Sequence, residues 1–295
     1  MSAAPIPDAS PLVRIGELSR RQGVSPDLLR AWERRYGLLA PERTPGGFRL
    51  YSAEDEARVR AMRRGLARGL SAAAAARVAL REPAPPEGPV PARALSAARE
   101  EIGAALESFR DVEAQTALDR LLATFSLATV LRDVVLPYLR DVGDRWEAGE
   151  LSVAQEHFAS VIIRGRLLGL ARAWDTGIGP RALLACPPDE RHDLGLVCFG
   201  LALRQHGWRI THLGPDTPVD VLRDVAADLD PALVVVCAET EPPMRAAIGE
   251  VEQLARRFNV AIAGRGATAE LALSARVRLL QDAPVAAAAR IAEGG

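Results

Sequence analysis

Between Glu82 and Ala92 the chain reads Glu-Pro-Ala-Pro-Pro-Glu-Gly-Pro-Val-Pro-Ala. Proline supplies no backbone N–H and locks φ, so neither a helix nor a central strand can run through this stretch. Such a segment is stiff and extended, and it tethers rather than packs. The residues before it must therefore fold apart from those after it. Charge divides at the same place: residues 12–81 hold 15 arginines against seven acidic residues, a net +8, and the rest of the chain carries −9. A basic head on an acidic body is the distribution expected when the head faces nucleic acid. All 37 basic residues are arginine, which reflects a GC-rich coding bias rather than a mechanism. At 295 residues two or three folded units are expected. The pattern sets them at 12–81, 95–176 and 177–295, with a linker over 82–94.

Cys186, Cys198 and Cys237 are odd in number and lack metal-site spacing, which fits a reducing compartment. The N-terminus has no apolar signal region, and no apolar run is long enough to span a bilayer. A soluble cytoplasmic protein with no membrane partner is expected. Residues 1–11, rich in Pro and Ala without periodicity, read as a disordered leader.

Order begins at Leu12-Val13-Arg14-Ile15-Gly16, a brief strand entering a helix that Gly23 stops. Ser25 caps the next helix and Pro26 occupies its first position, where a missing N–H costs nothing. That helix runs to about Arg35, with Leu28, Leu29 and Trp32 as its buried stripe and Arg30, Arg34 and Arg35 free. Two helices joined by a Gly-containing turn, with spare arginines on the second, suit a major groove. Thr44-Pro45-Gly46-Gly47-Phe48-Arg49-Leu50-Tyr51 then forms a tight turn between extended arms, a wing able to lay Arg43 and Arg49 on phosphates. Ser52-x-x-Asp55 opens a further helix in the manner of a capping box.

From Leu95 to Ala173 the pattern is helical, with Leu106, Phe109, Leu118, Leu121, Leu122, Phe125, Val130, Val134, Leu139 and Val142 at bundle-like spacings. Pro137 belongs in a first turn or at a kink. Within Trp146-x9-Glu156-His157, Gly149 ends one helix and Ser152-x-x-Gln155 is a capping box for the next. An unbroken helix would hold Trp146 and His157 about 15 Å apart along its axis. A bend lets indole and imidazole face one space.

Residues 181–295 alternate strand and helix: strands at 182–186, 209–213, 233–237, 260–263 and 277–280, helices at about 194–204, 219–226, 244–258 and 285–291. That alternation implies a doubly wound parallel sheet, with ligands at the carboxyl ends of its strands. Glu190-Arg191-His192-Asp193-Leu194-Gly195 falls at that edge. A carboxylate two positions before an imidazole orients and polarises the ring, as a metal ligand requires. Cys237-Ala238-Glu239 and Gly264-Arg265-Gly266 end the third and fourth strands, where small residues leave a slot between sheet and helices.

Three resemblances rest on these residues. Residues 12–81 resemble the winged helix-turn-helix of MerR-type regulators through Ile15-Gly16-Glu17-Leu18, Leu29-Arg30-Ala31-Trp32-Glu33-Arg34-Arg35-Tyr36-Gly37-Leu38 and the Thr44–Tyr51 wing. This implies contacts to double-stranded operator DNA from Arg14, Arg30, Arg34, Arg35, Tyr36, Arg43, Gly46, Gly47, Arg49 and Tyr51. The C-terminal unit, with its flavodoxin-like fold class, resembles the cobalamin-binding domain of base-off, histidine-on proteins. There the histidine of acidic-x-His-x-x-Gly is the lower axial cobalt ligand, here His192, beside Glu190 and Gly195, with the nucleotide tail buried beside Cys237, Gly264 and Gly266. Cys237 and Glu239 depart from that family's usual Ser and Leu or Val, and Ala263-Gly264 replaces Gly-Gly.

The order of head, four-helix-bundle-like cap and α/β domain resembles the CarH/LitR-type light-responsive repressors. That likeness implies adenosylcobalamin as cofactor, with Trp146, Val153, Glu156 and His157 lining its upper face. It also implies a homotetramer on DNA in the dark that comes apart when light cleaves the cobalt–carbon bond, after which His157 is a possible upper axial ligand. Two alternatives share the architecture: a regulator sensing another ligand or none, which Glu239 favours, and a corrinoid carrier for methyl transfer or a mutase. The DNA-binding head argues against any enzyme.

Overall fold

The computed structural model describes residues 12–22, 24–44, 47–67, 70–81, 92–172 and 174–293. The leader, Gly23, Pro45, Gly46 and residues 82–91 of the tether lie outside these. Two units divide between Pro91 and Ala92.

The first unit opens with β1 (Val13–Arg14), α1 (Ile15–Gln22) and α2 (Pro26–Tyr36). Ser25 caps α2 by accepting the Leu28 amide at 3.3 Å, and Gly37 closes it in the left-handed region at φ +60°. β2 (Glu42–Arg43) and β3 (Arg49–Tyr51) come next, giving an antiparallel sheet in the order β1-β3-β2. The unit ends with α3 (Ala53–Ala67) and α4 (Ala72–Arg81). Ser52 Oγ accepts the Asp55 amide at 3.2 Å while Asp55 Oδ2 accepts the Ser52 amide at 3.0 Å. Asp55 Oδ1 also takes the Ala40 amide at 2.7 Å. The shorter aspartate thus caps the helix and anchors the chain ahead of the wing. Leu18, Leu29, Trp32, Leu38, Tyr51, Val59 and Met62 form the core. Leu28 corrects the expected stripe: it is 44% exposed, one helical position round from the fully buried Leu29.

The second unit begins with a helical layer: α5 (Ala92–Glu107), α6 (Asp111–Thr124), α7 (Leu127–Val130), a π-turn (Leu131–Val135), α8 (Leu136–Glu147) and α9 (Val153–Leu170). α5 therefore starts three residues before the expected Leu95. Pro137 enters a helix that the π-turn has just widened, where its missing N–H and its ring do least harm. Phe109, expected in the bundle core, instead sits 52% exposed in the α5–α6 turn, its ring edge-on to Phe158 at 5.3 Å. The α8–α9 bend is fixed from both sides. Gly149 takes φ +75°, and Ser152 and Gln155 cap α9 reciprocally. The Arg145 guanidinium bonds Glu107 at 2.7 Å, and Gln155 donates to the Glu107 carbonyl at 3.0 Å.

The α/β layer runs β4 (Arg181–Ala185), α10 (Leu194–Gln205), β5 (Arg209–Gly214), α11 (Val219–Leu229), β6 (Leu233–Cys237), α12 (Glu241–Ala255), β7 (Val260–Ala263), α13 (Ala269–Ala275), β8 (Arg278–Leu280) and α14 (Pro284–Glu293). The strands form a parallel sheet in the order β5-β4-β6-β7-β8, the doubly wound flavodoxin-like arrangement. Every residue of β6 is buried, as an all-apolar strand with helices on both faces should be. The chain reverses direction across the sheet between β4 and β6, so the crevice at their carboxyl ends is where a ligand belongs. α12 starts three residues earlier than the expected Met244, with Pro242 and Pro243 in its first turn. α13 is an element the sequence pattern does not announce; its Thr268 cap accepts the Leu271 amide at 3.2 Å.

Gly264 and Gly266 pack the β7 loop against the β6 loop. A Cβ on Gly264, at φ +90°, would stand 2.1 Å from the Ala238 carbonyl oxygen, and one on Gly266 2.1 Å from that of Thr240. These glycines let the two loops press backbone to backbone. Gly264→Ala is expected to cost about 3 kcal/mol through backbone clash and strain. Urea unfolding with an unchanged midpoint would contradict that packing.

Candidate functional site

The β4–α10 loop lifts the candidate ligand out of the sheet edge. Glu190 is 1% exposed, and its carboxylate accepts four N–H groups. Oε1 takes the His192 amide at 2.8 Å and His192 Nδ1 at 2.7 Å; Oε2 takes the amides of Glu239 at 2.7 Å and Thr240 at 3.1 Å. Burial alone would raise this acid, yet the bonds from His192 and the two amides outweigh it and bring the carboxyl down to about 2. The Glu190 bond raises the His192 imidazole above its ordinary value against the opposing effect of burial, with Glu239 and Glu156 adding to the rise. With Nδ1–H committed to the carboxylate, Nε2 of the exposed ring is left to bind a metal. Gly195 lies on the first turn of α10, and a Cβ there would meet no atom within 4 Å. Cys237, expected beside the slot, is 7% exposed and ends β6 within the buried sheet.

The α8–α9 bend supplies the other face. Trp146, in the last turn of α8, is 43% exposed, and Val153, the first residue of α9, is 56% exposed. Glu156 bonds His157 Nδ1 at 2.6 Å and accepts the Ser160 hydroxyl at 2.7 Å, while the His157 ring stays in solvent. The Glu156 charge adds to the rise at His192. Two joints between the helical and α/β layers carry no sequence signal. Arg164 of α9 bonds Asp193 at 2.6 Å. Arg265 bonds Glu239 at 2.5 Å and reaches Asp144 of α8 at 3.8 Å. Glu239, the departure in the β6 motif, thus meets a cation beside the crevice.

The residues present suit a metal-bearing cofactor: an exposed imidazole with its Nε2 uncommitted, an open glycine three residues on, and an exposed indole and valine at the α8–α9 bend. His192 would hold the cofactor's metal through Nε2, with Glu190 fixing the tautomer.

In the DNA-binding unit, Arg14, Arg30, Arg34, Arg35, Arg43 and Arg49 are exposed, as expected, and Tyr36 is half-buried. Gly47 holds the wing turn at φ +80°. Arg14 lies over the Phe48 ring at 5.0 Å, and Arg30 pairs with Asp27 at 3.0 Å. Tyr51 corrects the expected set: it is fully buried and donates its hydroxyl to Glu33 at 3.0 Å, beside Arg49 on the same carboxylate at 3.1 Å. Phe48, next to Gly47 in the wing, is 58% exposed. Among the described residues Arg34 and Arg35 have no ion pair. Each change to alanine should weaken DNA binding across sequences and lower the salt slope by about one. Fluorescence anisotropy at several salt concentrations measures this, and an unchanged slope would remove them from the interface.

Comparison with known proteins agrees with both halves. The family described as MerR HTH family regulatory protein matches residues 13–82, and that described as B12 binding domain matches residues 98–168. The HTH-type transcriptional repressor CarH of Myxococcus xanthus is 36% identical over 229 residues, 75% of this chain and 77% of that one. The repressor CarA of the same organism is 34% identical over 265 residues, 88% of each chain. A monomethylamine corrinoid protein of Methanosarcina barkeri shares the fold with a TM-score of 0.57, at 16% identity over 68% of this chain and 99% of its own. No helix among the described residues is long and apolar enough to cross a membrane. CarH and CarA are repressors, not enzymes, and the chain belongs to their family, the CarH/CarA-type cobalamin-binding transcriptional regulators with a MerR-type head.

Proposed function

We propose that this regulator is a light-responsive repressor whose cofactor is adenosylcobalamin, and that it occupies operator DNA as a homotetramer in the dark. The observation that supports the reading is the exposed pair Trp146 and Val153 at the capped bend that also carries Glu156 and His157, together with the His192 ring held by Glu190. An indole and a branched aliphatic chain exposed at one bend offer apolar surface that a bound group could cover. A large upper group such as adenosyl would do so, whereas a small one would leave them wet. When bound, adenosylcobalamin supplies a cobalt–carbon bond that light breaks.

His192 and Glu190 then keep their hold from below. Trp146 and Val153 would cover the cofactor's bulky group, and His157, whose ring stands in solvent, would be a further imidazole available to the metal once that group has left. The bundle shifts against the α/β layer, and the surface that joins four chains is lost. Four heads on one operator bind far more tightly than one, so dissociation releases DNA without altering any single contact.

Absorbance of the full chain after incubation with adenosylcobalamin and desalting tests the reading. A retained cobalamin spectrum that changes under green light is expected. A protein that retains no chromophore would exclude it in favour of a regulator sensing another ligand, and one that retains cobalamin with a spectrum indifferent to light would exclude light sensing.

A further inference from the structure

The Arg164–Asp193 joint links the two faces of the site through one rigid helix. Asp193 directly succeeds His192 and is 1% exposed. Its Oδ1 accepts Arg164 Nη1 at 2.6 Å. Its Oδ2 is buried and has no hydrogen-bond partner, and neither has the buried Nε2 of His212, 3.6 Å away. Burial, reinforced by the Arg164 charge, pushes the His212 imidazole down to about 4, so this ring stays neutral at ordinary pH. Trp174 walls it off edge-on at 5.8 Å. Arg164 is therefore the cation that balances Asp193, and no water-filled surface competes for the carboxylate.

Arg164 stands seven residues after His157 on α9, two turns on, hence on nearly the same face and about 10 Å along the axis. The capping box at Ser152 fixes the start of that helix. We propose that Arg164 is a positioning residue: its bond to Asp193 sets the height of the α9 face bearing Val153, Glu156 and His157 above His192, and so selects for a bulky upper group. This rests on the reading of His192 as lower ligand and of the bend as cover for an upper group. An arm on a rigid helix, tied to the residue next to the lower ligand, allows little play in that spacing. Removing the tie should leave ligation from below in place and spoil the fit from above.

Absorbance titration of the full chain with adenosylcobalamin and, separately, with hydroxocobalamin tests this. For Arg164→Met, adenosylcobalamin affinity is expected to fall about 30-fold while hydroxocobalamin affinity changes less than about threefold. Arg164→Lys, which keeps a cation, should recover to within about fivefold of the original chain. A single change strands a buried carboxylate and endangers folding, so Arg164→Met with Asp193→Asn removes both charges and should show the same split. Equal losses for both cobalamins, or no loss for either, would overturn the proposal. Failure of the underlying reading would show itself differently, as an unaltered chain that binds neither cobalamin or a His192→Ala variant that binds both.

Discussion

Replacement of His192 by alanine is expected to abolish retention of cobalamin by the purified chain. The imidazole is held by a buried carboxylate through Nδ1, which leaves Nε2 directed away from that bond and free for the metal. Partners that merely orient a metal ligand are commonly worth about 10–100-fold in affinity, so loss of the ligand itself should exceed ~100-fold. The ring is exposed and carries no core contact that alanine would empty, so the cost to folding is confined to the lost bond on Glu190, about 1–3 kcal/mol. Desalting after incubation, then absorbance, reads the outcome, with thermal unfolding as the check on folding. Cobalamin retained at the level of the unaltered chain would remove His192 from the site.

Glu190→Gln is expected to damage both the site and the fold. The carboxylate accepts two donors on each oxygen, and an amide would turn one of those oxygens into a donor facing donors. Two N–H groups would lose their acceptor in a buried place, at about 1–3 kcal/mol each. The same bonds express themselves in the titration of Glu190. Its carboxyl stands at about 2, against 4.5 for a free one, so the folded state favours the ionised form. This stabilisation is accordingly fully present above about pH 4.5 and is lost as pH falls through about 2. The shift corresponds to stability on the order of 3 kcal/mol. Denaturant unfolding should show a large gap between the two proteins at pH 6, closing as the pH is lowered through this window. Equal stability at pH 6 would contradict the four-donor cradle. Cobalamin affinity should drop about 10–100-fold as the His192 tautomer is released.

The parts legible in the sequence share one property: their signal is local. Ser52 with Asp55, Ser152 with Gln155, Ser25 before Pro26, and strands buried on both faces all announce themselves within a few residues. The acidic-x-His spacing likewise puts Glu190 on the His192 ring. What escapes depends on partners far along the chain. Tyr51 reads as part of the DNA face because its neighbours belong there, whereas its hydroxyl seeks Glu33, 18 positions away. Arg164 and Asp193 lie 29 positions apart with no periodicity to join them, and Arg265 meets Glu239 over 26. Glu239 looks like an obstacle to a ligand only because its cation sits after a different strand. Leu28 and Leu29 are adjacent apolar residues, and which of the two turns inward depends on the helix phase that Trp32 sets.

Size-exclusion chromatography of the full chain with adenosylcobalamin, before and after green light, tests the central claim most directly. The expected result is a tetramer in the dark that retains the cobalamin absorbance, and a smaller species after illumination that no longer holds operator DNA. One elution volume in dark and light, with the cofactor retained throughout, would contradict it.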